Sequence, residues 1–495
     1  MKKSTLIKSS VLLMLPLLTL ASCGRNNGNG SSVTTEDSSQ QGGSEGITTT
    51  ISFKHRNSQT MSQVIDSIIS EFNKIPGNEN ITVKNDKYAG DYNALRDQVL
   101  NEMNTDEYPD LVECYPDHVV RYMDYGKVVD FGQYMNDPTE GWSADDKEDI
   151  IEAFLQEGQD YPIEGTYSLP LSKSSEAMYY NWTVLQNLQL DYNGKKVTIT
   201  EDYLKDMTWE EMFEYTAPAL MAYNEKLPDG EKIIDTKQAY YGVLGYDSDD
   251  NFFITLAEQY GYGYTSVDQK TGKGVLEFDN DNMKALMKKL NDYSNKHYLA
   301  TKGTCNGDYI NSYFTKNAFL FSIGSTAGSK YQQQNFADDV RCVRIPYAKE
   351  RDYLCINQGP SVAMLSHNND KDRQIAAWRF YKFLTNYANN LLWSTTSGYM
   401  PIRKSVVTSA DYIQYCNADG LDIASIEAIA ARTATVCAEV SQYVYGSPTF
   451  KGSSTCRSQV GSLTTTILMK PIAEVTDEWI NSQFSTCVNN IKVDM

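Results

Sequence analysis

The chain has only four histidines in 495 residues, and it contains no Cys-x-x-Cys pair, no HExxH helix, no P-loop and no Gly-x-Ser-x-Gly elbow. Those absences remove zinc peptidases, P-loop nucleotide hydrolases and α/β-hydrolase esterases from the field. His55, His118, His297 and His367 are scattered, with no partner at metal-ligand spacing, so neither a metal nor another cofactor is expected. Positive charge is also in short supply. Lys and Arg number 44 against 64 Asp and Glu, and the net charge of −20 disfavours nucleic acid and anionic lipid as partners. Beyond the first two dozen residues no apolar run is long enough to cross a bilayer. Acidic residues are numerous enough that a carboxylate pair for glycan hydrolysis is not excluded by counting. Asp145-Asp146, Asp249-Asp250 and Asp338-Asp339 are read more simply as turns or solvated faces.

What the chain does have begins at its start. Lys2, Lys3 and Lys8 precede Leu12-Leu13-Met14-Leu15-Pro16-Leu17-Leu18, the layout of a secretory signal whose apolar core is too short for a stable span of a ~30 Å bilayer. It ends in Leu20-Ala21-Ser22-Cys23, which resembles the lipobox of bacterial lipoproteins. The resemblance implies cleavage after residue 22, lipidation of Cys23 and anchoring to the outer face of the cell membrane. Residues 24–46 are mostly Gly, Asn, Ser, Thr and Gln, and read as a tether holding the rest of the chain roughly 25 Å from the lipid.

About 450 residues then remain, enough for two or three domains. Cys114, Cys305, Cys342, Cys355, Cys416, Cys437, Cys456 and Cys487 permit disulfides in an exported chain without revealing any pairing. Strand and helix patterns alternate. Residues 47–54, 81–84, 110–114, 176–181 and 318–323 read as strands, and 61–74, 92–103, 281–296 and 374–393 as helices. Thr208-Trp209-Glu210-Glu211 has the form of a capping box. The alternation predicts α/β layers with mainly parallel sheets, and the chain turns helical after about residue 408.

Six phrases occur in order: Tyr108-Pro109-Asp110-Leu111, Ser168-Leu169-Pro170-Leu171, Met178-Tyr179-Tyr180-Asn181, Thr208-Trp209-Glu210-Glu211, Ser397-Gly398-Tyr399-Met400-Pro401-Ile402-Arg403 and Phe450-Lys451-Gly452. Together, over residues 48–495, they resemble the extracellular solute-binding proteins of ABC importers for sugars and sn-glycerol 3-phosphate. The resemblance implies a two-lobed periplasmic-binding-protein-like α/β fold with hinge crossovers and a helical C-terminal part. Its expected division is a signal at 1–22, a tether at 23–46, lobe 1 at 47–168 plus 355–402, and lobe 2 at 169–354 plus 403–495.

The glycerol-phosphate branch offers the nearest residue layout. By resemblance, Tyr92 of Gly90-Asp91-Tyr92, Ser174 of the serine-rich segment, Ser325 and Thr326 of Gly324-Ser325-Thr326, Gly359, Tyr399 and Arg457 are expected to face ligand, with Arg457 in place of a phosphate-binding arginine. Alternatives stand beside them. Tyr399 could pack under the hinge, the serines and Thr326 could cap turns, and Arg457 could make a salt bridge. The chain departs from that branch at Cys114-Tyr115-Pro116-Asp117, where Pro116 occupies the position of a glutamate that holds glycerol hydroxyls. Tyr115 remains a candidate, and Asp117 could substitute one position on. Trp182 either packs on the surface or flanks the cleft.

The expected function is capture of a carbohydrate, an oligosaccharide, by a monomeric lipid-anchored receptor that hands it to an ABC permease without catalysis. An abundance of tyrosine, 35 residues, suits a sugar cleft. The alternative within the class is sn-glycerol 3-phosphate or a glycerophosphodiester. Outside the class, the alternative is an exported glycan hydrolase or a surface adhesin.

Overall fold

Alternation of apolar and polar residues in Thr49–His55 buries Ile51 and Phe53 on one face, and this strand seeds the first of two sheets in the computed structural model. The structure describes residues 48–268, 270–334 and 338–495; the predicted signal, Cys23 and the tether lie outside them. The first sheet runs Ile81–Lys87, Thr49–His55, Leu111–Cys114, Ser361–Met364, Leu169–Pro170. The second runs Leu299–Thr301, Gly242–Tyr246, Phe319–Ser325, Glu176–Asn181, Val340–Arg344.

Both sheets follow one rule of direction. Three consecutive strands are parallel, and the fourth is antiparallel to both of its neighbours. In each case the reversed strand is the one by which the chain enters from the other sheet: Glu176–Asn181 in the second, Ser361–Met364 in the first. The α/β layering is as expected, and in each sheet four of the five strands run one way; the one entering strand is reversed because it must start at the end where the home strands finish. Leu169–Pro170, placed by the sequence at the start of the second lobe, is instead the edge strand of the first sheet.

Helices cover the sheets through apolar stripes. Ser58 caps Gln59–Phe72 by accepting from the Met61 amide, and Phe72 meets Phe380 edge-on at 5.4 Å. Thr208 caps its helix as expected, accepting from the Glu211 amide at 3.1 Å, but the Glu211 carboxylate accepts from Lys195 and Tyr203 rather than closing a capping box. The single helix predicted over 374–393 is two, Lys371–Leu384 and Tyr387–Ser397. Asn386 breaks it by capping the second piece, its Oδ1 accepting from the Asn389 amide at 2.9 Å. The eight described cysteines are free thiols.

The crossovers lie side by side. Ser174 and Gln358 exchange backbone hydrogen bonds of 2.8 and 2.9 Å, Met400 N donates to Lys173 O at 2.7 Å, and Cys355–Ile356 pairs with Val444–Tyr445. Beneath them Lys173, fully buried, forms an ion pair with Glu157 and donates to Gly359 O at 3.2 Å, while Asn357 Nδ2 donates to Glu157 Oε1 at 3.0 Å. Removing one member of such a pair strands the other charge without water. Lys173→Met is expected to lower stability by about 3–5 kcal/mol in urea unfolding, and Lys173→Met combined with Glu157→Met to recover most of that loss.

Candidate functional site

Because the parallel strands of both sheets end on the same side, the residues just past their C-termini converge. Arg56 follows His55, Tyr115 follows Cys114, Asp247 follows Tyr246 and Lys302 follows Thr301, and all four line a cleft between the sheets. The cleft comprises a chamber of about 960 Å³ and an adjoining one of about 530 Å³. The two share Asn93, Tyr115, Asp247, Ser248, Asn251, Lys302, Gln358 and Gly359 as common wall.

The larger chamber is faced with tyrosine. Asp91 caps the helix that opens at Tyr92, and Gly398, left-handed at φ 81°, turns the chain so that Tyr399 follows directly. Tyr92 and Tyr115 meet edge-on at 4.8 Å, and the Arg56 guanidinium sits 4.7 Å from the Tyr92 ring centre. From the segments that follow strands of the second sheet come Tyr309 and Tyr331, 59 % and 60 % exposed, with Lys302 Nζ 3.7 Å from the Tyr309 ring centre. No tryptophan lines either chamber among the described residues. Trp182 packs at the surface against Tyr180 and Arg341 instead.

Two buried glutamates back this wall, one from each sheet. Glu113 accepts from the Arg56 amide at 3.0 Å and from Asn57 Nδ2 at 3.1 Å; Glu176 accepts from Asn251 Nδ2 at 2.9 Å and from the Tyr246 hydroxyl. Burial outweighs these hydrogen bonds and pushes each carboxyl up to about 7. Burial likewise raises Asp247 to about 6 and the Tyr399 phenol to about 12.

The structure brings nearly all the predicted residues together. Tyr92, Tyr115, Ser174, Ser325, Gly359 and Tyr399 line the larger chamber, and Tyr115, Asp117, Gly359 and Arg457 the smaller. Ser174 Oγ and Ser325 Oγ lie 3.4 Å apart across the sheet-to-turn junction. Thr326 is the exception. It is fully buried behind the wall, where its Oγ1 accepts from Ser175 N at 3.2 Å, so it braces the serine segment and is removed from the ligand-facing set. Arg457 Nη1 pairs with Asp250 Oδ2 at 2.8 Å and donates to Asn251 Oδ1, so its charge is already balanced within the chain. Sequence reasoning missed Arg56, Glu176, Asp247, Asn251 and Lys302 as wall residues. The usable signal for Arg56, Asp247 and Lys302 was their place directly after a strand. Among the described residues no group of three or more His, Cys, Asp or Glu side chains is arranged to hold a metal.

The family described as bacterial extracellular solute-binding protein matches residues 67–418. Compared with curated proteins by sequence, the chain finds no match. Among solved structures, the cyclic α-maltosyl-1,6-maltose binding protein from Arthrobacter globiformis is 13 % identical, with a TM-score of 0.65 over 89 % of this chain and 98 % of that one. UgpB from Mycobacterium tuberculosis, in complex with glycerophosphocholine, is 17 % identical, with a TM-score of 0.64 over 90 % and 97 %. The maltose/maltodextrin-binding domain MalE from Bdellovibrio bacteriovorus, bound to maltotriose, is 14 % identical, with a TM-score of 0.59 over 90 % and 98 %. At these identities the likeness is one of fold.

The buried glutamates set a pH dependence. A carboxyl held near 7 in the folded chain, against an ordinary 4.5, gives the folded state more bound protons between those values. The stability it contributes is complete below 4.5, falls as pH rises toward 7 and levels off above it. Thermal unfolding from pH 5 to 8 without ligand should therefore show a falling midpoint, and Glu113→Gln should flatten that fall.

Proposed function

The chain belongs to the bacterial extracellular solute-binding proteins, and from that premise we propose that it is the lipid-anchored receptor of an ABC importer for an uncharged oligosaccharide. It is a binding protein rather than an enzyme, which sets aside the glycan-hydrolase alternative. The adhesin alternative gives way to the same family membership. The observation that carries the choice of ligand is the tyrosine wall: Tyr92, Tyr115 and Tyr399 from one side of the cleft, Tyr309 and Tyr331 from the other. A sugar presents apolar C–H faces and hydroxyl edges. Tyrosine rings cover the former, while Asn251, Gln358, Ser174 and Ser325 offer hydrogen bonds to the latter.

In this reading the two sheets are the cores of two lobes, joined at residues 171–175 and 355–359 and again where the chain runs back to the second lobe past residue 402. Binding is a preference of the ligand for the closed arrangement, with no bond made or broken. The expected extracellular anchoring through Cys23, the monomeric state and delivery to permease subunits belong to the same proposal. A phosphate-bearing ligand is the runner-up, and the specific observation in its favour is Arg457 on the wall of the smaller chamber. Against it, Asp250 already balances that guanidinium, and Asp117 lines the same chamber. A phosphate monoester or diester, both anionic, would have to displace one carboxylate and approach another.

Titration calorimetry with malto-, xylo-, galacto- and fructo-oligosaccharides, sn-glycerol 3-phosphate and glycerophosphocholine tests the proposal. Saturation by one neutral series is expected, weakened roughly tenfold or more by Tyr399→Ala, with no heat from the phosphates. Saturation by a phosphate ligand alone, abolished in Arg457→Ala, would replace the proposal with the runner-up.

A further inference from the structure

The smaller chamber differs from the larger in kind. Apart from Tyr115, which it shares with the larger chamber, its aromatic residues Tyr264 and Phe450 are almost wholly buried, so hydroxyls, amides and carboxylates such as Asp117 and Asp249 set the rest of its surface. Ser454, Ser458 and Ser462 lie along one side of the helix Ser453–Met469. Several wall residues also carry buried polar atoms without a hydrogen-bond partner: Thr265 Oγ1, Asn357 Oδ1 and His118 Nδ1, on residues 6 %, 4 % and 2 % exposed, are joined by the Tyr264 hydroxyl and by Ser447 Oγ and Ser453 Oγ. Asn357 spends its Nδ2 on Glu157, and His118 spends its Nε2 on Asn93 Oδ1 at 3.2 Å, leaving the other end of each side chain unmatched. The large majority of buried polar groups in native proteins have a partner, and a cluster of unpaired ones on the wall of a chamber can be satisfied by whatever fills it. Of the two cations on its wall, Arg457 is already balanced by Asp250, and Lys302 stands 3.7 Å from the Tyr309 ring centre on the side of the larger chamber.

We infer that the smaller chamber is a second ligand subsite, which takes an uncharged, hydroxyl-dense sugar unit covalently joined to the unit held by the tyrosines. The inference rests on the sugar-binding reading of the cleft and adds two properties to it. The ligand is an oligosaccharide long enough to reach both chambers, and its two ends are recognised differently: stacking at one, hydrogen bonding to Thr265, Asn357, His118 and Ser453 at the other.

The test is calorimetry on the full chain with the same four neutral series, each graded from the disaccharide to the hexasaccharide. The expected result is a step in affinity at one chain length. Thr265→Val, which keeps shape and removes the hydroxyl, should weaken the longer members roughly 3- to 10-fold and leave the shorter ones unchanged. Ser453→Ala should act in the same direction, and serves independently if the Thr265 variant does not fold. Tyr399→Ala should weaken short and long members alike. Saturable binding with no length step, and with long members indifferent to both Thr265→Val and Ser453→Ala, would overturn the second subsite while leaving the sugar reading intact. Failure of every saccharide to bind would overturn the sugar reading and the subsite together.

Discussion

The buried ion pair between Lys173 and Glu157 is the constraint on which the geometry of the cleft depends. Glu157 ends the helix Glu152–Glu157 ahead of the first sheet's edge strand, Lys173 lies in the segment leading to the second sheet, and Gly359 and Asn357, which bond to the same two side chains, lie in the segment leading back. One desolvated contact therefore fixes both crossovers against a single helix. Such a pair adds little net stability over an apolar substitute, because desolvation offsets most of the attraction; what it supplies is position. Packing at this point is close enough to dictate residue type. Gly359 has φ 93°, and a Cβ there would lie 2.0 Å from the Ser172 carbonyl oxygen, so only glycine fits.

From that fixed point the cleft is set by strand direction. Each sheet presents the C-terminal ends of its parallel strands to the other, and each receives the chain through a single reversed strand that starts at the crossover. Two sets of wall residues follow directly from this arrangement. Arg56, Tyr115, Asp247, Lys302 and Ser325 stand at strand ends, while Ser174, Gln358 and Gly359 stand in the crossovers themselves. Any rotation of the lobes about the crossovers would change the spacing between the strand-end groups of the two sheets while leaving the crossover groups in place. A ligand touching both sets gains contacts only in one arrangement, which is the condition for coupling binding to closure.

Much of this was legible in the sequence, for identifiable reasons. The helix at Tyr92–Met103 and the strand at Glu176–Asn181 fall where periodicity puts them, because both have clear patterns bounded by a cap or a turn. The helix break at Asn386 was not legible, since the apolar pattern continues across it and only the side-chain cap reveals it. Tyr92, Tyr115 and Tyr399 could be placed at the cleft because they lie in or beside phrases of a shared family pattern. The role of Thr326 could not, because one residue's step past a strand end separates a wall position from a bracing one. Arg457 shows the other limit: its position was visible, but its neutralisation by Asp250, 207 residues away, is a fact of the fold alone.

The central claim is that a two-lobed binder closes on an uncharged sugar and releases it unaltered. Small-angle X-ray scattering of the purified protein, with and without a saturating oligosaccharide from the series that binds, measures this most directly when the ligand is recovered afterwards for mass spectrometry. The account predicts a smaller radius of gyration in the complex and a ligand of unchanged mass. Saturable binding with an unchanged radius, or a shortened ligand, would contradict it.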